Sequence, residues 1–158
     1  MTTFTLTSPN FRDNDTLPLA QVHGDAGGAN QSPALHWENP PVGTKSFALS
    51  CYDPDAPTGS GFWHWYVINL PADLRSLDEN VAANLPAGAR HARNDYGDYH
   101  YGGACPPPGH GAHRYIFTIH ALDCERLELP QDATTAYIGF NVWAHSLGSA
   151  SITTTFAR

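Results

Sequence analysis

The sequence predicts a mainly β protein, a two-sheet antiparallel β-sandwich with a few short helices, one of them near the C-terminus. Three observations support this class. Charged residues make up only 15% of the chain, which also holds 14 glycines and 13 prolines. That mixture suits loop-rich β structure better than a helical bundle, whose faces need many charged side chains. Short apolar or alternating runs recur between turn signals, and only one long stretch, late in the chain, reads at helical period.

Taken in order, residues 3–7, TFTLT, alternate as a first strand. Residues 9–33 are polar and turn-rich, with GDAGGANQS as a loop. Residues 35–38 read as a short strand and PPVGTK as a turn, followed by strong apolar strands over 46–52 and 63–70. After Pro71, ADLRSLDEN reads as one or two helical turns with Leu74 and Leu77 facing inward. Residues 82–111 are irregular. A connection of that length is usually functional or disordered, and the aromatic and imidazole side chains between Tyr96 and Tyr101 argue against disorder. RYIFTIHALD, residues 114–123, alternates as a strand. A helix is expected over about 132–147, capped by Asp132, with Phe140, Trp143 and Leu147 sharing a face that packs in the core. SITTTFA closes the chain as a strand.

At 158 residues the chain is expected to form one domain, residues 1–158. Its net charge is -7 and its eight Lys and Arg residues are scattered, so no basic stripe exists to neutralise phosphates and nucleic-acid binding is not expected. No apolar run approaches the roughly 20 residues of a bilayer-spanning helix. The opening MTTFTLTSPNF lacks a basic and apolar leader, which points to the cytoplasm. Cys51, Cys105 and Cys124 are odd in number and form no CxxC pair, so buried, reduced thiols are expected.

The chemistry-bearing segments are three. In DPDAP, Asp53 and Asp55 sit at i and i+2, which on a strand point to one face. Two carboxylates aimed together need a donor or a cation nearby. The plain alternative is an Asx turn. Next, His64 lies among bulky strand residues. Alternation puts Phe62, His64 and Tyr66 on one side and Trp63, Trp65 and Val67 on the other. A lone strand histidine is more often a satisfied core residue than a ligand contact. Last, GGACPPPGHGAHRYIF delivers His113 and Tyr115 at i and i+2, behind the rigid walls of Pro106 and Pro107 and glycines that permit close backbone approach.

Together with SPALHW (32–37), PPVGTKSFAL (40–49), HWYVINLP (64–71), NDYG (94–97), YGGACPPPGHGAHRYIFTIHALD (101–123) and SLGSASITTTFAR (146–158), these segments resemble the phosphatidylethanolamine-binding protein family, in its bacterial Raf-kinase-inhibitor-like branch. The resemblance covers most of the chain. It implies a two-sheet sandwich with a shallow anion pocket at one end. The pocket would be formed by Asp53, Asp55, Pro57, His64, Pro106, Pro107, His113 and Tyr115, with Gly103 and Cys105 giving backbone at the floor. Members bind phosphate-like and carboxylate-like anions there, including phosphoethanolamine head groups, in a pocket that is normally metal-free. The expectation is a binding protein without cofactor, a homodimer, acting through a protein partner of unknown kind. Kinase inhibition does not transfer by resemblance alone. Ala104 stands where proline usually precedes the cysteine, Ala112 is small, and Asn14 fills a turn position where glycine is frequent.

The resemblance also implies that the aspartates act on the pocket histidines. An imidazole beside a carboxylate stays protonated to higher pH, so His64 or His113 is expected to donate to a bound oxyanion, with Tyr115 donating through its hydroxyl. The rival expectation is a hydrolase. His64, His113, Asp53 and Asp55 would hold a metal, or Cys105 would be a nucleophile near His113. Against it stand the lack of any HExxH spacing and of a GxSxG elbow.

Overall fold

The structure, a computed structural model, describes residues 2–158. Its strands are β1 (Thr5–Thr7), β2 (Leu35–Glu38), β3 (Ser46–Asp53), β4 (Phe62–Pro71), β5 (Ser76–Leu77), β6 (Arg90–His91), β7 (His113–Leu122) and β8 (Ser146–Phe156), with helix α1 (Thr135–His145) between the last two. They form two antiparallel sheets. The small one has order β1-β2-β5 and the large one β6-β4-β3-β7-β8.

Burial explains the layering. The central strand β3 is buried at every position but Tyr52, so both of its faces must be covered. On one side Leu49, Cys51, Trp65, Val67, Phe117 and Ile119 pack against Leu6, Leu35 and Trp37 of the small sheet. On the other, Ala48, Tyr66, Ile68 and Leu122 pack beneath Ile138 and Val142 of α1. The large sheet is therefore the middle layer, as two opposite apolar faces demand.

Several expectations are corrected here. Residues 72–80 form no helical turns. Ser76–Leu77 instead add a two-residue strand to β2 and bury Leu77, so its inward direction holds while the element type does not. The helix begins at Thr135 and is capped by Thr134, whose hydroxyl accepts from the Tyr137 N–H at 3.2 Å, not by Asp132. Its inward stripe is Ile138 and Val142, with Gly139 close under the Tyr66 hydroxyl, while Phe140 and Trp143 are 60% and 75% exposed. β8 starts at Ser146, five residues earlier than expected. Of the thiols only Cys51 is fully buried; Cys105 and Cys124 are half-buried, and all three are unpaired.

The long 82–111 connection is tied down by polar bonds. Arg90–His91 pair with the edge of β4. Buried Asn94 donates to the carbonyls of His100 (2.9 Å) and His64 (3.4 Å) and accepts from the Asp98 N–H (2.9 Å). Asn14 adopts φ 69, the left-handed conformation that asparagine tolerates where glycine would serve.

Candidate functional site

At one end of the large sheet, β3, β4 and β7 leave the ladder within a few residues of each other. A bulge prepares the site. Cys51 pairs with Trp65 and Tyr52 with Trp63, so His64 is an extra residue in β4. A bulge puts consecutive side chains on one side of a strand. His64 and Trp65 accordingly share the face toward the small sheet, while Trp63 stacks on Tyr66 at 5.0 Å on the other. The simple alternation therefore fails from Trp65 onward, for this one reason.

His64 is bound twice to one partner. Its carbonyl accepts from the Gly102 N–H at 3.0 Å, and its Nδ1–H donates to the Gly102 carbonyl at 2.8 Å. This fixes the tautomer and leaves Nε2 for a guest. Gly102 cannot carry a side chain, because a Cβ would lie 2.5 Å from the Tyr96 ring. Burial holds the pKa of His64 below its ordinary value, and the Gly102 carbonyl and Asp53 only partly oppose this. His64 is therefore neutral near pH 7, contrary to the expectation that a neighbouring carboxylate keeps it charged.

Asp53 ends β3 buried, and its two oxygens are both engaged. Oδ1 accepts from the Asp55 N–H at 2.7 Å, closing the Asx turn. Oδ2 faces His113 Nδ1 at 2.7 Å. His113 is buried in turn, and its Nε2 lies 2.6 Å from His110 Nδ1. Asp55, in contrast, turns outward. It accepts from the Arg114 backbone N–H at 2.8 Å and from its guanidinium at 2.9 and 3.0 Å. That bond lowers the Asp55 pKa to about 2. The two carboxylates thus take different partners, Asp53 the His113 ring and Asp55 the Arg114 guanidinium.

Asp53, Pro57, His64, Cys105, Pro106, Pro107, His113 and Tyr115 all line one cavity of about 220 Å³. Asp55 and Gly103 are not among the lining residues. Gly103 packs against residues 21–23, and its carbonyl accepts the Tyr96 hydroxyl at 2.9 Å. Sequence reasoning missed Ala56, Thr58, Phe62 and Tyr96 in the lining. Phe62 was signalled by its i−2 relation to His64. Tyr96 arrives from the irregular loop, where no periodicity speaks.

The Tyr115 ring meets His64 edge to face at 5.2 Å. Its hydroxyl is buried, and it has no hydrogen-bond partner among the described residues. Burial, then the Asp53 charge, pushes its pKa far up, so it is a donor and not a phenolate.

The pocket histidines and aspartates do not converge as metal ligands. Among the described residues, the group of three His, Cys, Asp or Glu side chains with ligand atoms within 4.8 Å of one another is Asp123, Cys124 and His145. It lies at the opposite end of β7. Asp123 already pairs with His145 at 2.8 Å there, and burial followed by the Asp123 charge raises the Cys124 pKa, so these groups are satisfied as they stand. A larger groove of about 540 Å³ runs between β1 and β8, but its lining holds no histidine or tyrosine.

Relatives share the fold and much of the sequence. The UPF0098 protein YbhB of Escherichia coli strain K12 is 52% identical over 157 residues, covering 96% of this chain and 99% of that one. YbcL of the same organism is 41% identical over 156 residues, covering 95% and 85%. The crystal structure of E. coli YbcL, described as a new member of the mammalian PEBP family, superposes with a TM-score of 0.94 at 40% identity over 98% of each chain. The family model described as phosphatidylethanolamine-binding protein matches residues 7–157, which hold β2 to β8 and every pocket residue named above. Fold and sequence agree, and the chain belongs to the phosphatidylethanolamine-binding protein family.

Proposed function

We propose that the cavity binds a small oxyanion of the phosphate or carboxylate class, a phospholipid head group being the phosphate-bearing form, and that the protein is a binder and not a catalyst. The observation that carries this reading is the Tyr115 hydroxyl, buried against the cavity without a partner among the described residues. An unmade hydrogen bond of this kind costs about 1–3 kcal/mol. A guest oxygen removes that cost.

Charge supports the same reading. The Asp53 carboxylate lies within the lining, and His113 balances it when protonated. An oxyanion entering beside neutral His64 favours protonation of Nε2. The site then takes up anion and proton together, and the charge-assisted bond so formed is stronger than a neutral one. Pro57, Phe62, Pro106 and Pro107 supply apolar walls for the rest of the guest.

A Cys105 nucleophile lacks its base. The polar neighbour of its sulfur is the Arg158 guanidinium at 3.5 Å, which has no lone pair to accept a proton. His113, the other candidate, has both ring nitrogens engaged.

Two further assignments rest on lesser support. The unpaired thiols suit a reducing compartment, consistent with a cytoplasmic setting. The exposed stripe of Tyr137, Phe140, Trp143 and Leu147 suits a contact with a second copy. It carries no charge, so it does not repel itself even though the chain bears a net charge of -7.

Calorimetric titration with inorganic phosphate, O-phosphoethanolamine and acetate tests the main reading. Phosphate should bind wild type and bind Tyr115→Phe about tenfold more weakly, the worth of one hydrogen bond to a charged acceptor. Wild-type protein that binds none of the three contradicts it.

A further inference from the structure

His113 Nε2 belongs to a buried residue that lines the cavity, yet it is already taken. His110 Nδ1 sits 2.6 Å from it, with the rings edge to face at 4.8 Å. His110 itself is exposed, and among the described residues its side chain bonds only His113. The loop is shaped to hold it there. Gly109 and Gly111 adopt φ 77 and 94, and nothing lies within 4 Å of where their Cβ atoms would be. The backbone is anchored by Gly109 N–H to the Arg158 carbonyl (2.9 Å) and His110 N–H to the Pro107 carbonyl (3.1 Å). Because His110 is exposed, its imidazole can leave toward solvent by rotation about its own side-chain bonds, without moving the chain.

One ring nitrogen carries one directed hydrogen bond. His113 Nδ1 is committed to Asp53 at 2.7 Å. An oxyanion can then bond this ring only through Nε2, the atom His110 holds. We propose that His110 is a built-in competitor for the anion site, its imidazole occupying His113 Nε2 in the empty pocket and swinging out when the oxyanion binds. The proposal rests on the anion reading above and adds its regulation: the resting site is closed by a side chain of its own loop. Affinity is lowered by the free energy of that contact, as for any guest that must displace a resident partner.

Inorganic phosphate is titrated into wild type, His110→Ala, and His36→Ala, the last removing an exposed imidazole from β2 as a charge control. His110→Ala should bind about 3- to 10-fold more tightly, the worth of one hydrogen bond, and His36→Ala should match wild type. Loss of a basic side chain would by charge alone weaken anion binding, so the gain has the opposite sign to the trivial effect. Equal or weaker binding by His110→Ala, with wild type still binding, overturns the competitor and leaves the anion reading intact. No binding by either protein overturns the anion reading, and the competitor with it. Nitrogen NMR of the imidazoles adds a test that needs no variant. A coupling across the His110–His113 hydrogen bond should be present without ligand and vanish on saturation with phosphate. Its absence from the ligand-free protein, or its persistence at saturation, overturns the proposal.

Discussion

Asp53 and His113 stand 60 positions apart in the chain, yet their side chains meet at 2.7 Å, both almost wholly buried. Removing one partner of such a pair strands the other. Asp53→Ala should cost about 3 kcal/mol, because His113 Nδ1–H and the Asp55 N–H both lose their acceptor. Asp53→Asn keeps a carbonyl acceptor and should cost markedly less. Denaturant unfolding of the two variants checks the order.

Tyr115 predicts the reverse pattern. Its hydroxyl makes no bond among the described residues, so Tyr115→Phe should leave stability unchanged or raise it by about 1 kcal/mol, while anion affinity falls. A structural tyrosine would lose stability on the same change. Chemical denaturation beside the calorimetry separates the two roles.

Acid should destabilise the protein in a defined window. Burial lowers the pKa of His64 and His91, and that of His120 to about 4. The unfolded chain, with histidines near 6.5, then binds more protons than the folded one between these values. Stability from these groups is fully present above 6.5 and is lost as pH falls toward 4. His120→Gln should flatten that slope, measured by urea midpoints against pH. An equal slope in the variant removes His120 from the explanation.

Asp55 has its own, lower window. Its folded pKa of about 2 lies below the unfolded value near 3.9, so its contribution is present above pH 4 and lost as pH falls toward 2. The carboxyl carbon shift followed by NMR should show that late titration. Arg114→Ala should move it back up toward the ordinary carboxylate value.

Under the proposed contact with a second copy, the outer face of α1 serves association and not folding. Trp143 is 75% exposed, so Trp143→Asp should leave monomer stability within about 0.5 kcal/mol while abolishing any dimer seen in sedimentation. A large loss of monomer stability would return Trp143 to the core.

Much of this was legible because β structure writes its period into sequence. β3, β4 and β7 alternate or run apolar for eight to ten residues, and each is bounded by Pro or Gly. The meeting of DPDAP, His64 and the HRY segment came from family resemblance, since no local rule brings remote segments together. What escaped the sequence has identifiable causes. Two-residue strands such as β5 and β6 are too short to show a period. The bulge at His64 inverts the side assignment of everything after it, and nothing in the string FWHWYV marks an extra residue. Asp55 turns away because Arg114, 59 positions later, competes for it. Helix α1 offers two apolar stripes, and the narrow one wins because Gly139 lets it lie close on Tyr66.

The central claim is that the cavity between β3, β4 and β7 receives an oxyanion. Imidazole and tyrosine NMR during titration with phosphate to millimolar concentrations reads it directly. The prediction is that the largest saturable shifts fall on His64 Nε2, His113 Nε2 and the Tyr115 ring, with His64 gaining a proton. Shifts confined to exposed histidines such as His36 and His100, with these three unmoved, would contradict it.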